Sequence, residues 1–203
     1  MGQRLVISVV EDQKRIATVY FHWSGYTRSV YEETRDLIKM LRGEAVNRLV
    51  LKEVNGKIGF TPISSEKVDE PDTVLKLVRL FESLGGGLSS DSFSEFEKRY
   101  PELEYSTKAD RNNGLIDISA EGMANADLWA EATAMIDLDT EEVQVEPFWT
   151  VDEDDLEEDD VVVDLEQDPF DFTFDEIQDR YDMINGVDAP FVRFDGRVYG
   201  FIE

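Results

Sequence analysis

Eight of the nine residues from Asp152 to Asp160 are carboxylates: Asp152, Glu153, Asp154, Asp155, Glu157, Glu158, Asp159 and Asp160 surround a single Leu156. Acidic side chains continue beyond them through Asp164, Glu166, Asp168, Asp171, Asp175, Glu176, Asp179 and Asp182. Those later carboxylates alternate with Leu165, Phe170, Phe172, Phe174, Ile177 and Tyr181. A merely solvated acidic tract has no use for such apolar spacing. The pattern predicts a folded segment with one face buried and one face covered in carboxylate. Acidic residues at i and i+2 of a strand recur every ~6.7 Å on one face, and duplex DNA presents one phosphate per ~3.4 Å of axis per strand. A fixed array of this kind can imitate the charge line of a nucleic-acid backbone and draw in a basic groove. The predicted partner-binding set is therefore the eight carboxylates of 152–160, extended by Asp164, Glu166, Asp168, Asp171 and Asp175. Phe148, Trp149 and Phe170 are the expected aromatic anchors, because aromatics dominate interface hot spots.

Other chemistry finds little support. His22 is the only histidine, and in FHWS it could form a dyad with Ser24, histidine being the usual general base. No GxSxG motif accompanies it, and a strand-end histidine with one hydrogen bond explains it as well. Asp137, Asp139 and Glu142 resemble a loose oxygen-ligand loop for Ca²⁺ or Mg²⁺, but the EF-hand spacing is absent, and a polar hairpin turn is the simpler reading. Gly85–Gly87 lacks the lysine that a phosphate loop carries. Acidic pairs suited to glycoside hydrolysis arise by chance among 46 carboxylates. No catalytic residue, metal ligand or cofactor is expected.

The 203 residues hold 46 acidic and 20 basic side chains, for a net charge of −26. Residues 1–60 are at +3, residues 61–130 at −7 and residues 131–203 at −22. Solubility asks for a magnitude of only about 2–8, so the last third carries far more repulsion than it needs. The balance argues against direct nucleic-acid binding and against an anionic membrane surface. There is no cysteine, which removes thiol catalysis, disulfides and zinc ribbons. No apolar run approaches the length of a membrane span, and the apolar stretch near the N-terminus is too short for a signal h-region, so no secretory signal is expected. A cytoplasmic protein is expected.

These residues need elements to position them. Arg4–Val10 and Ile16–Trp23 read as a β-hairpin. Ser29 and Glu32 have capping-box spacing at the start of a helix over 28–42. Asn55-Gly56 suggests a hairpin within 47–64, with a helix over 44–54 as the alternative. Further helices are expected over 72–83, from Ser92 to Tyr100, and from Thr173 to Ile184. Strands are expected at Leu115–Ser119, Leu128–Leu138, Glu142–Phe148 and Val161–Val163. Asp195-Gly196 marks a final hairpin. The expected fold is α+β, with antiparallel hairpins, three to four helices and an acidic C-terminal third. Its expected domains are a scaffold over 1–150 and an acidic subdomain over 151–203 packed on it.

The segments MGQRLVISVV, VYFHWSGYT, RNNGLIDIS and AMIDLDTEEV resemble a family of small phage and prophage proteins of Gram-positive bacteria. The resemblance spans about the first 150 residues and brings no catalytic residues with it. It implies a bacterial host cytoplasm. At class level the acidic third is similar to the nucleic-acid mimics by which phages block restriction enzymes and CRISPR effectors. The expected function is thus an inhibitor of a host defence nuclease, with a type II CRISPR effector as first candidate partner; a homodimer would double its charged face. The alternatives are a phage accessory protein whose acid only confers solubility, a divalent-cation module, and an enzyme using His22.

Overall fold

Alternation along the first two strands decides which side of the main sheet becomes the core. The computed structural model describes residues 3–44, 72–103, 105 and 109–203. Strands β1 (Leu5–Glu11) and β2 (Lys14–Phe21) form the expected antiparallel hairpin. Asp12 and Gln13 turn it with φ of 53° and 60°, the doubly left-handed turn whose twist suits a hairpin. Five more strands complete a sheet in the order β3-β4-β2-β1-β5-β6-β9. They are β3 (Gly87–Leu88), β4 (Leu115–Asp117), β5 (Ala132–Asp137), β6 (Glu142–Glu146) and β9 (Asp171–Thr173).

Leu5, Ile7 and Val9 share one side of this sheet with Phe21, Val19 and Ala17 on β2. Ala132, Ala134 and Ile136 on β5 and Val143 and Val145 on β6 continue the same side. All of these are buried in one apolar cluster with helices α1 (Thr27–Leu41) and α2 (Thr73–Ser83). The other side differs from end to end. Glu142, Gln144, Glu146, Asp171 and Thr173 leave it open and polar at the β6–β9 end. At the opposite end Thr18 pairs with Asp117, and Tyr20 with Leu115.

A second sheet, in the order β7-β11-β10-β8, is built from β7 (Phe148–Val151), β8 (Val162–Asp164), β10 (Phe191–Phe194) and β11 (Arg197–Phe201). Its β10–β11 hairpin turns at Asp195-Gly196 as expected, with φ of 48° and 74°. The fold is α+β, and both sheets are mostly antiparallel. Both sheets draw on the acidic third: β9 joins the first, while β7, whose residues straddle position 150, opens the second.

Five α-helices lie among the described residues rather than three or four. Besides α1 and α2 they are α3 (Phe93–Arg99), α4 (Ala120–Asp127) and α5 (Ile177–Asn185). The missed helix is α4. Its sequence, AEGMANAD, offers only Met123 and Ala126 to a periodic stripe, so pattern alone is silent. Ser119 caps it by accepting the Gly122 N–H at 3.0 Å. Leu128-Trp129 then turns out of α4 instead of opening a strand, and β5 begins at Ala132. The hairpin expected over 47–64 lies outside the described residues.

Helix α1 begins at Thr27, with no side-chain cap, so Ser29 lies inside its first turn. Thr27 is held by tertiary contacts instead. Its N–H donates to the Ile202 carbonyl at 2.8 Å. Its hydroxyl donates to the Pro147 carbonyl at 2.8 Å and accepts the Ile202 N–H at 2.7 Å. Replacing Thr27 with valine keeps the shape but leaves two buried backbone groups unpaired, and each such group costs about 1–3 kcal/mol. Thr27→Val is therefore expected to lower the urea midpoint clearly, while Thr27→Ser, which keeps the oxygen, shifts it far less.

Candidate functional site

The tract from Asp152 to Asp160 is folded, but not as a strand. A 3-10 turn covers Glu153–Asp155, and the Asp155 N–H donates to the Asp152 carbonyl. A second turn closes where Asp160 accepts the Glu157 N–H at 2.8 Å and returns its own N–H to the Glu157 carbonyl. The regular i, i+2 carboxylate ladder expected of a strand is thus replaced by two turns. The physical reason is that adjacent carboxylates repel, and the short acidic side chains accept backbone N–H groups locally. Leu156, the one apolar residue, is half-buried, while the carboxylates around it are exposed apart from the half-buried Asp160.

Strand directions place this tract. β7 runs antiparallel to β11, β11 antiparallel to β10, and β10 parallel to β8. β7 and β8 therefore point the same way on opposite edges, and residues 152–161 must cross the sheet to join them. Arg193 on β10 pins the crossing by donating to Glu153 at 3.0 Å and to Asp164 at 3.1 Å. Among the described residues no lysine or arginine pairs with Asp152, Asp154, Asp155, Glu157, Glu158, Asp159 or Asp160.

The other predicted residues divide into groups. Asp164 stays with the tract through Arg193. Glu166 lines a neighbouring cleft of about 460 Å³ together with Asp164, Asp182 and Asp188. Asp168 is half-buried, and it accepts the N–H groups of Phe170 and Asp171 to shape their turn. Asp171 lies on the edge strand of the first sheet, and Asp175 is exposed in the turn before α5. Phe148 and Phe170 meet edge-on at 5.7 Å, within a cluster that also holds Tyr31, Phe194, Tyr199 and Phe201. Trp149 is 48% exposed beside Gly200, so of the three aromatics it is the one most open to a partner.

A basic stripe holds the acidic third in place. Arg28, Arg35 and Lys39 on α1 and Arg42 at its C-cap follow one another at spacings of seven, four and three. Arg28 donates to the Val187 carbonyl at 2.8 Å. The Arg35 guanidinium sits 3.7 Å from the Tyr181 ring centre. Lys39 donates to Gln178 at 2.8 Å, and Arg42 pairs with Asp175 at 2.9 Å. The capping box expected of Thr173 and Glu176 is present.

The dyad geometry is absent. Ser24 donates to Glu33 at 2.9 Å, whereas His22 Nδ1 lies 2.9 Å from the Tyr20 hydroxyl. Partial burial, then Arg111 and Arg4, lower the His22 pKa. Asp137 accepts the N–H groups of Asp139 and Thr140, and Asp139 accepts that of Gln13. Among the described residues no three histidine or carboxylate side chains are gathered as metal ligands.

One arrangement was not expected. Asp117 is 7% exposed at the floor of a cleft of about 840 Å³. Ser89 and Ser92 both donate to its Oδ1. The Ser92 hydroxyl also accepts the N–H groups of Ile118 and Ser119, so it ties α3 to β4 rather than capping α3 as expected. Gly122 is needed at the wall, because a Cβ there would stand 2.3 Å from Asp117 Oδ1. The available sequence signal was a carboxylate between Ile116 and Ile118 in a β-rich run, which strand alternation puts on the face opposite the core.

Comparison of the chain with protein-family models, with curated proteins and with solved structures finds no match.

Burial raises the Asp117 pKa against the pull of its two serines, and Asp91 adds to the rise. The folded protein therefore holds this proton more tightly than the unfolded chain. The stability associated with it is complete below the unfolded value and is lost as pH rises through the folded one. Asp117→Asn keeps an oxygen for the serines and removes the charge. It is expected to melt above the parent at neutral pH, by about 2–4 °C per kcal/mol relieved, with the gap closing towards about pH 4. An equal or lower melting point at neutral pH contradicts that expectation.

Proposed function

We propose that this chain is a non-catalytic interaction protein whose acidic C-terminal face takes the place of a nucleic-acid backbone in the groove of a basic protein. In the phage setting implied by its sequence resemblance, the partner is a host defence nuclease in the bacterial cytoplasm. Type II CRISPR effectors, which hold nucleic acid in positively charged channels, come first among the candidates.

The observation that carries this reading is the density of free carboxylate on the crossing. It spans at least three interstrand spacings, ~14 Å. Its seven acidic residues without a lysine or arginine partner among the described residues thus give at most one charge per about 2 Å, the same order as the ~1.7 Å of axis per charge in duplex DNA. The turns and the Arg193 clamp order the tract before any partner arrives, which lowers the entropy lost on binding. A tract serving solubility alone has no need of that order. Trp149, exposed on the adjoining β7, supplies an aromatic contact beside the charge.

The test is a pull-down from a Gram-positive lysate with the protein as bait, at low and high salt. The control reverses Asp152, Asp154, Asp155, Glu157, Glu158 and Asp159 to lysine and leaves Glu153 and Asp160 to hold the turns. The parent is expected to retain a nucleic-acid enzyme at low salt and release it at high salt, and the control to retain none. An empty pull-down, or the same proteins on both baits, overturns the reading.

A further inference from the structure

The cleft above Asp117 is independent of the acidic tract, and its chemistry is different. Strand alternation builds its floor: Tyr20 on β2 and Leu115 and Asp117 on β4 share one face of the sheet. Leu88, Phe93, Ala126 and Trp129 give it apolar walls, and Asp91, Ser89 and Asn125 add polar groups. Among the described residues no lysine or arginine lines it. Its volume falls in the range of small-molecule sites, whose mark is apolar walls with a few convergent polar groups.

Two polar groups beneath the cleft lack partners. Both serine hydrogen bonds to Asp117 fall on Oδ1, and among the described residues no donor reaches Oδ2. Thr18, directly across from Asp117 on the same face, is fully buried, and its hydroxyl has no hydrogen-bond partner. Asp117 lines the cleft, and a carboxylate oxygen there without a protein donor is free to accept one from a ligand. At the rim, Phe93 and Trp129 are 38% and 59% exposed, so part of each ring is open to a bound group. Arg4 already sits 5.2 Å from the Trp129 ring centre, which shows that the ring accepts a cation.

We infer that this cleft binds an organic cation: an ammonium or guanidinium group on an apolar stem. The charged head donates to Asp117 Oδ2 on the floor, with Asp91 nearby as a second negative charge. The stem lies along Leu88, and the Phe93 and Trp129 rings favour a nearby cation over their faces. A carboxylate paired with aromatic walls, with no lysine or arginine among the described lining residues, selects this chemistry over anions and neutral sugars. The head group can come from a free amine or from an arginine side chain of another protein, and both present the same atoms.

The test is calorimetric titration in physiological salt. The probes are agmatine for a free cation, N-acetyl-arginine N-methylamide for a protein-borne one, and hexane-1,6-diol as an uncharged control. The host carries the six lysine reversals in the 152–160 tract, so that simple condensation on the polyanion is removed. Agmatine or the arginine amide is expected to bind with a stoichiometry of one, and the diol not to bind. Asp117→Asn is expected to weaken binding at least tenfold. Trp129→Ala, at an exposed site that leaves the fold intact, is expected to weaken it severalfold. The better of the two cations identifies the source of the head group. Absence of binding by both cations, equal binding by the diol, or affinities unchanged in both variants overturns the inference.

Discussion

Self-repulsion is the constraint that the last third of this molecule must meet. With 25 acidic and three basic side chains between residues 131 and 203, it has to be gripped from outside. Helix α1 provides the grip. Its basic stripe reaches Val187, Tyr181, Gln178 and Asp175, while Thr27 and Tyr31 fasten the chain at Pro147, Ile202 and Pro169. Tyr31 also stacks on Phe172 at 6.1 Å, so apolar contact and hydrogen bonding act at the same place. Exposed ion pairs contribute little individually. The buried hydrogen bonds and the aromatic cluster carry most of the attachment, and the arginines relieve the local field. Arg180 does the same from within, donating to the Asp168 carbonyl, Gln167 and Glu176 from a buried position.

The main sheet separates scaffold from surface by the period-two rule of strands. One face is apolar from Ile116 through Ile7 to Val143 and disappears under α1 and α2. The other face is left for chemistry, and its two ends differ: an open carboxylate end at β6 and β9, and a covered end where α4 and the Ser89–Ser92 turn enclose Asp117. Rigid strands beneath both ends mean that neither surface depends on loop ordering. A buried carboxylate whose ionisation opposes folding, as Asp117 does, belongs to the kind of local conflict that marks functional positions.

Much of this was legible in the sequence. Both terminal hairpins announced themselves through β-branched runs, the last one with Asp-Gly at its turn. Four helices showed apolar spacing, and Thr173 with Glu176 gave a true capping box. The failures share a cause: tertiary partners displaced local ones. Ser29 and Ser92 have the right spacing for caps, but Thr27 is secured by distant carbonyls and Ser92 by Asp117. Helix α4 has almost no apolar stripe, and it is held by Ser119 and by Gly122 against Asp117. The alternation beyond the acidic tract pointed to a folded segment, but the order and the crossing of 152–160 were not legible, because only the pairing of β8 with β10 reveals that β7 and β8 run the same way. The cleft was illegible, since Tyr20, Ser89, Asp117 and Trp129 are far apart in the chain.

Among the described residues the small sheet has two unpaired edges, and β8, which carries Val162 and Val163, forms one of them. Two valines on an edge strand, with the exposed Val161 just before them, invite another strand to add on, and with it self-association. Here Asp160, Asp164 and Glu166 bracket them, so a second copy approaching in register would bring like charges face to face. The charge proposed to suit a basic groove therefore also polices the edge, because it disfavours the in-register addition of a second acidic copy.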